Sequence, residues 1–439
     1  MKEGFSKLDK NEKIDWVINN FFNSSESDSE LLKKYWSNDI ELQKIHDEFS
    51  ENTISNFFLP LGIAPNFIID KKNYTIPMVT EESSVVAAAC KSAKFWSKRG
   101  GFKTEIIDVI KSGQVHFKYD GSKEKIFKFF KQIKKRLISD CSEINKNMKK
   151  RGGGILDIEL IDKTSDVENY YQISSRFNTV DSMGANFINS CLEQYAKTFE
   201  TEFLNSKLFE KDEKLEIIMS ILSNYVPECL VRAEVRCKVD ELKNKDIHDP
   251  KIFAQKFVDA IKIANNDIGR AVTHNKGIMN GIDSVVIATG NDFRAVEACA
   301  HAYASKNGNY TSLSYATVQK DEFVFWMEIP IAVGTVGGIT NLHPLVKWSL
   351  KLLKNPSAKD LMRIIVVAGL AQNFAALRSL ITSGIQLGHM KMHLINILNS
   401  LDADNSEKKI LVEYFKKHKV SFRKAENALT KLRRNELKI

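Results

Sequence analysis

The sequence predicts an α+β fold, and three observations carry that expectation. Helix-like patterns fill roughly the first and the last 50 residues. Strand-like and helix-like stretches alternate between about residues 106 and 237. Small residues dominate the helical patterns that come after Pro250. Strand, helix and strand elements in a compact insert are the mark of an α+β subdomain.

Taken in order, residues 1 to about 50 read as charged helices around short apolar clusters. Thr80–Trp96 reads as a helix marked by Val85, Val86, Ala89 and Phe95, with Gly100 and Gly101 as its stop. Gln114–Tyr119 and Ile155–Ile161 alternate or cluster as strands do, Phe187–Phe203 reads as a helix, and Leu230–Val239 again as a strand. In Lys123–Arg136 the basic residues interleave with Ile126, Phe127, Phe129, Phe130 and Ile133, giving an amphipathic helix with a basic outer face. Ala295, Ala298, Ala300, Ala302 and Ala304 mark a closely packed helix between Asn291 and Gly308. A second runs from Ala358 to about Ser383, and Gly384 and Gly388 loosen the chain beyond it. Residues 390–439 are helical, basic and free of glycine, a separate C-terminal arm.

The chain has 439 residues, 43% hydrophobic and 27% charged, which is enough for two or three domains with a large core. None of its six cysteines forms a CxxC pair, and the charged stretch Met1–Ile14 is no secretory leader, so a cytoplasmic protein with reduced thiols is expected. No apolar run reaches the roughly 20 residues of a spanning helix, so no membrane role is expected. The net charge of +9 leaves three readings open: nucleic-acid binding, reception of an anionic ligand, or a lysine-rich solvated surface. The basic helix lacks the stacking aromatics of an RNA module, and no nucleic-acid partner is expected.

Several segments could carry chemistry. Gly152-Gly153-Gly154 runs into Ile155, Leu156 and Asp157, so the dinucleotide fingerprint fails at its third glycine; a plain turn and a phosphate cradle both stay open. Asp181-Ser182-Met183-Gly184-Ala185-Asn186 opens a helix, where backbone N–H groups can receive a phosphate or where Asp181 or Ser182 is simply the N-cap. His389 and His393 share zinc-ligand spacing, but no glutamate follows His389, and no metal is expected. Lys276 lies among turn formers in Thr273–Gly281, as a carbonyl-polarising lysine or a surface one. Glu81-Glu82 before an apolar run is a carboxylate pair that a helix dipole favours.

Together these segments resemble class II 3-hydroxy-3-methylglutaryl-CoA reductases. The matching stretches are Glu51–Ser55 with Leu59–Ala64, Glu81–Ala88, Gly152–Glu159, Asp181–Asn186, Arg270–Asn280, Ala288–Ala298, Gly369–Asn373 and Gly388–Met390. They stand in the family's order and cover residues from about 45 to 400. Ser55 replaces a usual glycine and Ser83 a frequent proline. Both departures concern backbone shape.

The resemblance implies a large, mainly helical substrate-binding domain carrying an inserted small ferredoxin-like cofactor-binding domain and a C-terminal helical flap. The expected boundaries are 1–111 and 240–377 for the large domain, 112–239 for the small one and 378–439 for the flap. It implies interconversion of hydroxymethylglutaryl-CoA with mevalonate and CoA, within mevalonate and isoprenoid metabolism. Two hydride transfers would pass through mevaldehyde. It further implies a homo-oligomer built from dimers, with active sites at the interface.

The roles it implies can be given residue by residue. Lys276 would polarise the thioester and then the aldehyde carbonyl. Glu82 would supply the proton, which calls for a raised pKa. Asp292 would hydrogen-bond to Lys276 and help set the protonation of the pair. His389, on the flap, would protonate the departing thiolate. Ser84, Arg270, Asn280 and Gln372 would hold the substrate, Arg270 and Ser84 taking its free carboxylate. Asp181, Met183, Gly184 and Asn186 would hold the dinucleotide. Asp157 stands where NAD-preferring members place an acid: it can bond a ribose 2′-hydroxyl and repels a 2′-phosphate. NAD(H) is therefore expected over NADP(H), although Arg151 and Arg176 lie near enough to accept a phosphate. The competing activity is that of another oxidoreductase acting on CoA thioesters.

Overall fold

A computed structural model describes residues 3–382, 394–415, 418 and 420–437. Gly384, Gly388, His389 and His393 lie outside the described residues.

The first segment forms the helices Lys10–Phe21, Glu26–Lys34 and Ile40–Asp47. Asp9, Ser25 and Asp39 cap them by accepting first-turn backbone N–H groups, and Asp9 with Glu12 completes a reciprocal capping box. Strands β1 (Leu61–Ile69) and β2 (Lys72–Val79) come next as an antiparallel hairpin. Its turn places Asp70 and Lys71 at φ 46° and 67°, the primed geometry that matches strand twist.

The next helix is Val85–Ser97, five residues shorter at its start than the pattern suggests. Ser84 takes φ 77°, which a helix interior forbids, so Thr80–Ser84 is a turn that leads from β2 into the helix.

The remaining strands make two antiparallel sheets. One is ordered β5 (Gly154–Asp162), β6 (Tyr170–Asn178), β4 (Lys111–Tyr119), β7 (Leu215–Leu222). The helices Lys123–Asp140 and Ala185–Asn205 bury Ile126, Phe129, Leu137, Leu192, Tyr195 and Phe199 against its Val115, Phe117, Ile158 and Ile173. The other is ordered β3 (Lys103–Ile106), β8 (Leu230–Lys238), β10 (Glu322–Pro330), β9 (Ser314–Gln319). Strand β8 therefore departs from expectation. It pairs along its whole length with β10, and its Val231, Ala233 and Val235 join the larger core. Alternation identifies a strand but not its partner, and here the partner lies about 90 residues downstream.

That larger core is built on the helices Pro250–Asn266, Ile268–Ala288 and Ala358–Ile381, with Trp96, Phe257, Phe323, Phe325 and Phe374 packed at its centre. The helix Ala358–Ile381 is long and apolar enough to cross a membrane by length and composition, contrary to the sequence reading. Its apolar residues are instead spent on the core, from Leu361 to Leu377. A third, separate core joins helical residues 394–400 with the helices Asn405–Tyr414 and Phe422–Arg433, through Leu398, Leu411, Ala425 and Leu429.

Candidate active site

The site is assembled on the helix Ile268–Ala288. Asp267 caps it, its carboxylate accepting the Arg270 N–H at 2.6 Å. Spacing of four puts Lys276 and Asn280 on one face. The opposite face is locked by buried polar groups. His274 Nε2 meets Ser314 Oγ at 2.7 Å, and that hydroxyl donates to Asn373 Oδ1 at 2.8 Å. Asn275 donates to the Thr311 carbonyl and accepts the Leu313 N–H. The lysine helix is thus keyed to β9 and to the helix Ala358–Ile381. Burial holds the His274 imidazole neutral, with its pKa lowered to about 3, and the Arg270 charge pushes the same way.

On the open face, Lys276 Nζ donates to Glu82 Oε2 at 2.6 Å, and Asn280 Nδ2 donates to the same oxygen at 3.3 Å. Glu82 comes from the turn after β2, where Thr80 Oγ1 accepts its backbone N–H. Side-chain exposure of 60% for Lys276 and 38% for Glu82 leaves the pair open to a ligand. The helix surface at Gly277 is bare, with no atom within 4 Å of where a Cβ would stand. An ammonium against a carboxylate at the mouth of such a gap can polarise a carbonyl and pass a proton to its oxygen.

Three other substrate candidates stand on the same helix or on elements that contact it. Arg270 is half-buried, makes no ion pair among the described residues, and has its pKa lowered by burial. Such a guanidinium suits a ligand carboxylate. Ser84 is the left-handed residue that starts the helix Val85–Ser97, two positions from Glu82. Gln372 is buried on the helix Ala358–Ile381 where that helix crosses Gly281, and its Oε1 has no hydrogen-bond partner.

Asp292 stands apart from Lys276, and the expected hydrogen bond between them is not formed within this chain. Asp292 is the N-cap of the helix Phe293–Ala304. Its Oδ1 accepts the Arg294 and Ala295 N–H groups, and the carboxylate pairs with the Arg294 guanidinium at 3.1 Å. Burial pushes its pKa up, but Arg294 and the backbone donors outweigh that and hold the carboxyl below its usual value.

The Asp181–Asn186 loop joins β6 to the helix Ala185–Asn205. Neither Asp181 nor Ser182 caps that helix, contrary to one of the open readings. Its N-cap is Gly184 at φ 85°, and no side chain caps its first-turn N–H groups. A Cβ on Gly184 would come within 2.3 Å of Thr179 Cγ2. Asp181 instead accepts the Ala358 N–H at 2.7 Å, stitching the loop to another helix, and its carbonyl accepts the Thr335 N–H. Asn186 is exposed. Asp157 lies at a bulge on β5 and pairs with Lys134 at 2.8 Å. The Lys134 bond holds its carboxyl below the usual range against a small burial penalty. Arg176 is committed to Glu228, while Arg151 donates to the Asn147 carbonyl. Sequence reasoning missed Lys134 and Lys111. The signal for Lys111 was present: it occupies an inward position of the period-two series Lys111, Gly113, Val115, Phe117, Tyr119.

Comparison with known proteins finds relatives over most of the chain. A family model described as hydroxymethylglutaryl-coenzyme A reductase matches residues 11–394. The 3-hydroxy-3-methylglutaryl-coenzyme A reductase of Archaeoglobus fulgidus is 37% identical over 411 residues, covering 93% of this chain and 89% of the relative. A probable reductase of the same name from Borreliella burgdorferi is 33% identical, with 90% of each chain covered. A solved reductase of that name from Streptococcus pneumoniae superposes with TM-score 0.72 at 35% identity, covering 98% of this chain and 99% of that one. A class II structure from the same organism, bound to NADPH, superposes at 0.70 with 35% identity and 86% and 99% coverage. The Lys276–Glu82 pair therefore sits in a chain that belongs to the hydroxymethylglutaryl-coenzyme A reductase family.

Proposed function

We propose that the chain is a class II reductase that interconverts hydroxymethylglutaryl-CoA with mevalonate and CoA, using NAD(H) or NADP(H). The observation that carries the reading is the exposed Lys276–Glu82 contact at 2.6 Å. The order strand, helix, strand, strand, helix, strand around the β5-β6-β4-β7 sheet, with a second short helix, Ser142–Lys150, after the first, supports a small ferredoxin-like cofactor domain.

The dinucleotide fits the chain on two counts. The helix Ala185–Asn205 begins with N–H groups that no side chain caps, suited to a pyrophosphate, and Gly184 at φ 85° makes the turn into it, packed so closely on Thr179 that a Cβ would not fit. Gly184, Met183 and Asn186 hold it, and Asp157 meets the ribose, favouring NAD over NADP. When bound, the nicotinamide supplies the hydride. Lys276 stabilises negative charge on the carbonyl oxygen in both reductions, and Glu82 passes a proton to that oxygen. Arg270 and Ser84 take the substrate's free carboxylate, Asn280 and Gln372 orient its reacting end, and His389 protonates the departing thiolate.

A dimer completes the site. Asp292 is engaged by Arg294 and makes no hydrogen bond to Lys276 in the single chain, and Ile268, Val272 and Phe293, on the same two helices, are exposed. A second copy covering them would carry Asp292 to the Lys276–Glu82 pair.

The test is nicotinamide absorbance with the thioester and, separately, with free mevaldehyde, run with NADH and NADPH in parallel. Lys276→Ala should lose roughly 10²-fold or more on both substrates, because both develop charge on the same oxygen. Comparable turnover by the mutant would sink the assignment. Specificity constants that favour NADPH would overturn the preference at Asp157.

A further inference from the structure

The loop proposed to hold the dinucleotide is strained, and something inside the fold must hold it. Val180, a β-branched residue, takes φ 52°. The left-handed region is unfavourable for such a side chain and persists only where its surroundings enforce it. On one side the Asn178 side chain accepts the Val180 N–H, and Asp181 is fixed to Ala358 and Thr335. Below the loop lies Lys111, at the start of β4. Its Nζ donates to Thr179 Oγ1 at 2.8 Å, to the Ser182 carbonyl at 2.9 Å and to the Met183 carbonyl at 3.0 Å. These acceptors use all three ammonium protons. Thr179 Oγ1 in turn donates to the Ser182 carbonyl, and Ser182 Oγ donates to the Thr179 carbonyl.

A buried ammonium is costly unless it is paired or fully hydrogen-bonded. Lys111 is only 6% exposed and makes no ion pair among the described residues, so neutral acceptors of one loop hold its entire charge. Burial lowers its pKa to about 8, against which the Cys229 thiol pushes upward, so it stays largely protonated at neutral pH. Its positive charge also lies beneath the uncapped N-terminus of the helix Ala185–Asn205, where it adds to the dipole that attracts an anion.

We propose that Lys111 is a positioning residue for the dinucleotide: it clamps the Thr179–Met183 turn in its binding shape and adds charge toward the pyrophosphate. The proposal rests on the assignment of this loop to the dinucleotide. It predicts an effect on one substrate only, since Lys276, Glu82 and Arg270 stand on other elements.

The experiment compares the protein with its Lys111→Met variant, which keeps an unbranched apolar stem of four atoms and removes the ammonium. Steady-state constants are measured for the reduced dinucleotide and for the thioester. Donors to charged hydrogen bonds contribute enough that KM for the dinucleotide should rise about tenfold or more, with KM for the thioester changing less than about twofold. Equal changes in both, or no change, would overturn the proposal and leave Lys111 a packing residue. Should Lys111→Met fail to fold, Thr179→Val removes the hydroxyl that links Lys111 to Ser182, and should show the same selectivity at smaller size. Asn186→Ala separates the two layers of the argument. If it raises the dinucleotide KM while Lys111→Met does not, only the clamp is wrong. If neither changes it, the loop assignment and the clamp fall together.

Discussion

Two residues apart on one helix, Lys276 and His274 show how far a side chain's role can be read from sequence. Lys276 was legible through the resemblance, and its local company of turn formers left it open between surface and site. His274 sits in the same motif and carries no sequence signal of its own. Its role is fixed by partners on other elements, Ser314 and, through it, Asn373. Its pKa, lowered mainly by burial to about 3, makes it a source of acid lability. Above the unfolded value of about 6.5 both states are neutral and its contribution is complete. As pH falls below that value the unfolded chain takes up a proton that the folded chain refuses, so stability is lost down to about pH 3. Between pH 7 and pH 4 the loss is roughly 3 kcal/mol from this one group. Denaturant unfolding at the two pH values should show it, and His274→Gln, which cannot titrate, should flatten that part of the profile. An unchanged slope in the variant would mean the imidazole is more open to water than its burial implies.

Among the elements, the sequence located several helices and, of the strands, β4, β5 and β8 within a few residues, because periodicity and caps act locally. It failed where the deciding contact is remote. Strand β8 alternates as expected yet pairs with β10, and Asp181 accepts the Ala358 N–H, at the start of a helix 177 positions away in the chain. The crossing of the helices Ile268–Ala288 and Ala358–Ile381 is another such contact, and it can be tested. A Cβ on Gly281 would stand 2.5 Å from the Ala368 carbonyl oxygen and 2.8 Å from Gln372 Cβ. Alanine raises helix propensity by about 1 kcal/mol over glycine. Against it stands an overpacking penalty of roughly 1–3 kcal/mol, which backbone cannot relieve by rotating. Gly281→Ala should therefore lower the melting temperature and, by displacing Gln372, raise KM for the thioester. Gly277→Ala is the contrast: with open space at its Cβ, it should raise the melting temperature. If both variants are stabilised, the two helices are not in the close contact described.

At the scale of the whole molecule, the described residues bury their apolar side chains in three separate sets, one around Trp96 and Phe257, one under the β5-β6-β4-β7 sheet and one among the C-terminal helices. The relation between chains is something no periodicity encodes. Exposed apolar residues scattered singly are ordinary, but clustered beside a functional group they mark an interface. Ile268 and Val272 flank Arg270, Phe293 follows Asp292, and they are 66%, 50% and 38% exposed. The proposed dimer buries these and brings Asp292 to the lysine of the other copy. Phe293→Glu should then convert a species of two chains to one in sedimentation and reduce kcat/KM for the thioester, with partial recovery at higher protein concentration by mass action. A single-chain species that retains full activity would separate catalysis from assembly, and Lys276 and Glu82 would then have to work without Asp292.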